Sequence, residues 1–346
     1  MPALSRSIGL PHATAMVVGT IIGASIFVQP SEVSRAVPTF GGMLFVWVAS
    51  GALTWFGASI CAELSSAFPQ TGGVYVFLRE MFSPAVGFLW GWAMFWSMHS
   101  GIIAAIAMVV ARYAAGVVPV GDGGIRVIAV GAIVGLSAIN YLGVRPGSAV
   151  QTGLTLTKVV AIAALLAMLF GLGASHVPAP GGDVQMRGFL RALIAGLFAF
   201  GGWHMVTYAA EETRDPRRTI PRALMLGVAV VIAVYLALNA AYLLVLPLDR
   251  VLASNRIAAD AASAVAGPKA AAAISALVVV SALGAMTGII LAGPRVYYAM
   301  AHDGLLFGWM GAIHPRFQSP HVAIAAQAGW ASVLVLTDTY RALFTR

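Results

Sequence analysis

The sequence predicts an all-α integral membrane protein of about nine spanning helices, two of them broken at mid-depth. Three observations carry this. Of 346 residues, 60% are hydrophobic and only 9% charged, where a soluble domain carries about 25% charged residues. Several apolar runs exceed the ~20 residues that cross a bilayer as a helix. Small residues interrupt two of those runs, at Gly19-Thr20-Ile21-Ile22-Gly23-Ala24-Ser25-Ile26-Phe27 and at Phe198-Ala199-Phe200-Gly201-Gly202-Trp203. Strands are not indicated, because the runs are too long and do not alternate.

The first run, 13–37, lacks a small-residue cleavage site in the expected place, so it reads as a retained span and not a signal peptide. A turn at Pro38 to Gly42 leads to the second, 42–65, and one at Pro69 to Gly73 to the third, 85–118. Pro119 to Gly124 separates the fourth, 125–143, and Arg145 to Gly147 the fifth, 152–173. Pro178 to Gly182 precedes the sixth, 188–211, which is followed by 222–247, 271–301 and 321–338. Hydrocarbon offers no partner for a freed backbone group, so a broken helix persists only where it lines a cavity or meets a ligand. Two glycine breaks at matching places in two halves point to inverted repeats and a central binding site. The whole chain, 1–346, then forms one membrane domain, with a first repeat over 13–173 and a second over 188–338.

Charge sets the orientation. Arg6, Arg79, Arg145, Arg214, Arg217, Arg218, Arg222, Arg295 and Arg316 gather on one side, which the positive-inside bias makes cytoplasmic. The N-terminus is then inside, in a multi-pass protein of the cell membrane. Basic residues mostly sit between spans, so the net charge of +8 does not indicate nucleic acid. The single cysteine, Cys61, excludes an intramolecular disulfide and a cysteine-built metal site. Neither a zinc-hydrolase motif nor a nucleophile elbow is present, so no metal, cofactor or enzymatic activity is expected.

Four strings in order resemble the amino acid–polyamine–organocation transporter superfamily. The first break resembles its first-helix motif. Ala62-Glu63-Leu64 with Pro69-Gln70-Thr71-Gly72-Gly73 and Tyr75 resembles its loop after helix two. Gly201-Gly202-Trp203 followed by Glu211 to Pro221 resembles its sixth helix and next loop. Arg295 to Met300 with His302-Asp303-Gly304-Leu305-Leu306 resembles the end of its eighth helix. Phe198 to Trp203 is closest to the L-type amino acid transporter branch. The resemblance implies a LeuT-type inverted-repeat fold, with helices one and six broken. It also implies a second repeat of four helices whose fifth is missing, since the chain stops at Arg346 just past the ninth segment. That gives either a C-terminally truncated carrier with weakened activity or one whose remaining helices come from elsewhere; nine spans from a cytoplasmic N-terminus put the C-terminus outside.

In such a carrier, backbone N–H groups at Gly23, Ala24 and Ser25 would bind a substrate carboxylate at a half-helix N-terminus. Carbonyls of Ile21 and of Phe198 or Ala199 would accept from its ammonium. Gly201 belongs to the second break. Trp203 would be a pocket wall or a packing anchor, and Phe198 would be the aromatic gate over the substrate. Ser25 stands where the family often has glycine, and His204 where the branch often has asparagine; His204 is either a substrate contact or a structural histidine. Lys158, a cation inside the fifth segment, is a functional candidate by default. The resemblance gives it the place of a sodium ion, hence sodium-independent coupling; the alternative is a lysine snorkelling to the interface. Glu63, Glu212 and Arg295 would be an inward gate or plain interfacial charges. His99 reads as packing.

The reading is a secondary transporter, a permease or exchanger of amino acids. Neutral substrates are expected, since neither break carries a carboxylate to pair a cationic side chain. The alternatives are a non-transporting membrane remnant or scaffold and, less favoured, a membrane-embedded enzyme. Animal L-type relatives join a heavy chain through a cysteine after segment three. The stretch Val117 to Gly124 has none, so no disulfide-linked heavy chain is expected.

Overall fold

The structure is a computed structural model that describes residues 4–115, 120–173, 184–254 and 256–337. Among these residues the elements are helices, with one isolated bridge between Ile8 and Thr213. α1 (Leu10–Ile21) and α2 (Gln29–Ala36) are separated by a single 3-10 turn, Ser25–Phe27. Pro11 and Pro30 sit in their first turns, where a missing N–H costs nothing. α3 (Phe40–Ala67) starts at Thr39, whose hydroxyl accepts the Gly42 N–H at 3.1 Å. Gly72 and Gly73, with φ of 119° and 53°, turn the chain into α4 (Val74–Met81).

Ser83 caps α5 (Pro84–Ala93), which continues through a π turn at Met94–Met98 into α6 (His99–Ala115). α7 (Asp122–Tyr141) and α8 (Val144–Leu172) meet at Gly143, where φ is 120°. α9 (Met186–Ala199) gives way at Gly201 and Gly202 to a ten-residue 3-10 helix, Trp203–Glu212. α10 (Pro216–Val245) contains Pro221, which cannot donate to the Arg217 carbonyl. Ser66 Oγ lies 3.1 Å from that carbonyl and 3.1 Å from the Ala62 carbonyl, one proton between two acceptors. α11 (Leu248–Ala253), α12 (Ile257–Ala266), α13 (Pro268–His302) and α14 (His321–Leu336) complete the chain.

Seven helical stretches among the described residues are long and apolar enough to cross a membrane. Of the nine expected segments, the other two form shorter helices. The run 13–37 is cut by its own break, leaving α1 with 12 residues, and α14 has 16, short of the ~20 that span a bilayer. The expected break at Arg145 to Gly147 lies instead at Gly143, and Pro146 fits within the first turn of α8. Pro178 to Gly182 lies outside the described residues, as do positions 116–118 of the third segment and 338 of the last. The stretch between the seventh and eighth segments carries two helices, α11 and α12, that its mixed charge had concealed.

α13 is the innermost helix: nearly every residue from Ser281 to Met300 is buried. α1 lies against α8, α10 and α13, and α10 also packs along α3. Apolar residues such as Leu156 and Val160 on α8 are exposed, whereas Lys158 on the same helix is fully buried. The amino-terminal segment is tied in by backbone bonds from Ser7 and Ile8 to the Glu212 carbonyl, both 2.9 Å, and from Arg214 to Ile8.

Candidate functional site

The first break begins where Ile22 leaves helical geometry, at φ −72° and ψ 81°. The Gly23 N–H turns back to the Ile21 carbonyl at 2.8 Å, so it is not free for a carboxylate as expected. The N–H groups of Ala24 and Ser25 make no bond to the rest of the described chain. They open the short turn that leads into α2, a geometry that favours an anion through its free donors.

The carbonyls released by the break are gathered by side chains from distant helices. Lys158 Nζ donates to Gly19 O at 3.0 Å, Ile22 O at 2.6 Å and Ser281 O at 3.1 Å. An ammonium has three donors, and all three are used. Lys158 is wholly buried and does not snorkel. Ser281 Oγ, from α13, stands 3.0 Å from Ile22 O and 3.2 Å from Gly23 O.

The second break is enforced by Gly202, whose φ of 104° belongs to the left-handed region. A Cβ there would lie 3.1 Å from the Thr20 carbonyl oxygen. The two breaks touch at this point, for Thr20 Oγ1 lies 3.0 Å from Gly202 O. A tyrosine joins them a second time. Tyr235 Oη, from α10, is 3.0 Å from Ile21 O and 3.1 Å from Ala199 O. The Ile21 carbonyl therefore already accepts from Gly23 N–H and faces the tyrosine hydroxyl, rather than standing unpaired. A hydroxyl carries one proton, so Tyr235 satisfies one of its two carbonyls at a time.

Ile21, Gly23, Ala24, Ser25, Lys158 and Ala199 are thus brought into one region. Phe198 is not: it is 59% exposed, on the same strip of α9 as Leu190 and Ile194, opposite the packed Ala192, Gly196 and Ala199. The aromatic packed beneath the breaks is Phe200, with ring centroids 4.8 Å from Tyr235 and 6.2 Å from Trp47. Gly201 is exposed. Trp203 rests against α3, where a Cβ on Gly57 would come within 2.9 Å of its ring, and its edge meets His204 at 5.4 Å. His99 is buried beside Tyr297, with Nδ1 3.2 Å from the phenol oxygen. Of the three expected gate charges, Glu212 and Arg295 form a wholly buried two-point pair at 2.7 and 2.9 Å, and Glu63 stands apart, exposed.

Thr20, Tyr235 and Ser281 were not singled out in the sequence. Tyr235 had a readable signal: a tyrosine deep in an apolar span needs a partner for its hydroxyl. A serine or threonine in a membrane helix can bond its own preceding turn, so Thr20 and Ser281 carried none.

A profile of the amino acid permease family matches residues 8–345. The chain is 32% identical over 339 residues to the serine/threonine exchanger SteT of Bacillus subtilis (strain 168), covering 96% of this chain and 77% of that one. It is 29% identical to the Asc-type amino acid transporter 1 of Mus musculus, over 98% of this chain and 66% of that protein. It is 28% identical to the b(0,+)-type amino acid transporter 1 of Homo sapiens, over 99% and 72% respectively.

Proposed function

The chain belongs to the amino acid permease family, and from that premise we propose that it is a secondary carrier of amino acids, working by alternating access with the substrate held between the two breaks. The observation that carries this reading is the meeting of the breaks at Thr20 and Gly202, 3.0 Å apart, beside free N–H groups at Ala24 and Ser25. An amino acid offers a carboxylate and an ammonium at fixed separation. The N–H groups suit the first, and the Ala199 carbonyl, 3.1 Å from Tyr235 Oη, suits the second.

The substrates are neutral in this reading, because no acidic side chain lies in either break to pair a cationic one. The names of relatives, which include a serine/threonine exchanger, support small neutral substrates and exchange. Transport is sodium-independent: the Lys158 ammonium occupies the ring of carbonyls that a bound cation would need. Residues 13–173 and 188–338 act as the two repeats, and the N-terminus is cytoplasmic. Trp203 and Gly201 shape the second break, and Phe198, exposed on the outer strip of α9, is given no gating role in this reading. The relatives matched are transporters, which argues against an enzyme. A covalent heavy-chain partner is not expected, since Cys61, buried on α3, presents no accessible thiol.

The test is exchange of labelled neutral amino acids by the purified chain in liposomes, in sodium and in choline buffers. Equal saturable exchange in both is expected. No exchange of any amino acid would remove the proposal, and a large sodium-specific gain would remove the role given to Lys158.

A further inference from the structure

Gln151 lies on α8 two turns before Lys158, in line with Ser148 and Thr155. All four are buried, making a polar strip on an otherwise apolar helix. Three of them are bonded. Ser148 Oγ donates to Arg145 O at 3.2 Å, Thr155 Oγ1 lies 2.7 Å from Gln151 O and 3.2 Å from Ala15 O on α1, and Lys158 holds its three carbonyls. The Gln151 carboxamide is the exception. It is fully enclosed, and neither its Oε1 nor its Nε2 has a partner among the described residues.

Its surroundings explain why. The amide is wedged between Gly19 on α1 and Gly288 on α13. A Cβ on Gly19 would overlap both the Gln151 amide nitrogen and the Thr155 hydroxyl, and one on Gly288 would lie 3.2 Å from that nitrogen. The two glycines let α1 and α13 close on the carboxamide without offering it a donor or an acceptor. A buried polar group with no partner raises the free energy of the state that buries it. Water would satisfy it, so any movement that parts α1 from α8 and wets the seam relieves the cost.

We propose that Gln151 is a positioning residue acting through α1: it opposes the docking of Leu10–Ile21 onto α8 and so sets how readily that half-helix leaves. Lys158 and Gln151 then work against each other on one face of one helix. The ammonium draws in the carbonyl end of α1, and the carboxamide two turns away weakens the docked seam. The docked state holds, yet remains within reach of the undocked one. This rests on the alternating-access reading above and adds to it that α1 parts from α8 in each cycle.

The test is Gln151→Met in the full chain, a replacement of similar shape with no amide. Three readouts are taken: thermal unfolding in detergent, kcat and KM of exchange in liposomes, and maleimide labelling of Val18→Cys on α1 in a Cys61→Ser background. Removing the unpaired amide should raise the melting temperature and slow labelling. It should lower kcat roughly five- to tenfold with KM little changed, the change in rate that follows from stabilising the docked state by one unmade buried hydrogen bond. A lower melting temperature, or unchanged labelling, would overturn the proposal by showing the amide to be ordinary packing. So would an unchanged kcat in an active wild type. Melting and labelling need no substrate. If both shift as expected while the wild type transports nothing, the carrier reading fails and the role of Gln151 on α1 stands.

Discussion

Lys158 Nζ lies 2.6 Å from the carbonyl oxygen of Ile22, a residue 136 positions earlier in the chain. That contact ties the fifth predicted segment to the point where the first one breaks. A helix cut at Ile22 exposes carbonyls that hydrocarbon cannot satisfy, and a buried ammonium is itself untenable without acceptors. Each feature meets the other's need, and neither fits this interior alone.

Lys158→Met should therefore harm the break more than the helix that carries the lysine. The carbonyls of Gly19, Ile22 and Ser281 would lose their shared donor. At about 1–3 kcal/mol for a buried group left unpaired, the melting temperature should drop by several degrees and exchange should fall to background. Wild-type exchange in this variant would mean that the ammonium is dispensable.

Tyr235→Phe tests the bridge between the breaks. In the proposed site the hydroxyl would compete with a substrate ammonium for the Ala199 carbonyl. Removing it should destabilise the ligand-free protein by about 1 kcal/mol and tighten amino acid binding by up to roughly fivefold. Calorimetric titration of both proteins with the same amino acid checks this. Weaker binding by the variant would show that the hydroxyl contacts the substrate itself.

At Gly202 backbone and contact act together. Alanine would have to adopt φ near 104° and place its Cβ 3.1 Å from the Thr20 oxygen. Strain of this kind costs on the order of 1–3 kcal/mol, so Gly202→Ala should lower both thermal stability and substrate affinity. Gly131→Ala, at an open position on α7, is the control and should change neither by more than about 0.5 kcal/mol. Equal behaviour of the two variants would deny Gly202 any special role.

The Glu212–Arg295 pair is wholly buried, so breaking it from one side leaves a charge without its partner. Glu212→Gln and Arg295→Met should each destabilise by about 3–5 kcal/mol, and the double replacement by less than the sum. Thermal unfolding of the four proteins gives the coupling. Strict additivity would mean that the pair contributes nothing as a pair.

Much was legible in the residues alone because the controlling costs are local. Runs of apolar residues place the long helices, since hydrocarbon demands ~20 of them in succession. Gly201-Gly202 and Gly23-Ala24-Ser25 announced two interruptions, and Lys158 stood out as a cation in an apolar run. The ends of the elements were less legible. α8 starts at Val144, earlier than its arginine and proline suggested, because Gly143 alone supplies the positive φ that the turn needs.

Tertiary structure decided which freed groups are spent and which remain. Tyr235 reaches Ile21 across 214 residues and Ser281 reaches Ile22 across 259, and no local pattern encodes such pairings. The same limit separates Phe198 from Phe200. Two positions along a helix differ by about 200° around its axis, so one aromatic is exposed and the other packs under the breaks. The sequence by itself determined that this chain crosses a membrane with two interrupted helices, because burial in hydrocarbon is priced residue by residue. Only the assembled helices determined the partners at those interruptions, because a hydrogen bond depends on where two distant residues come to lie.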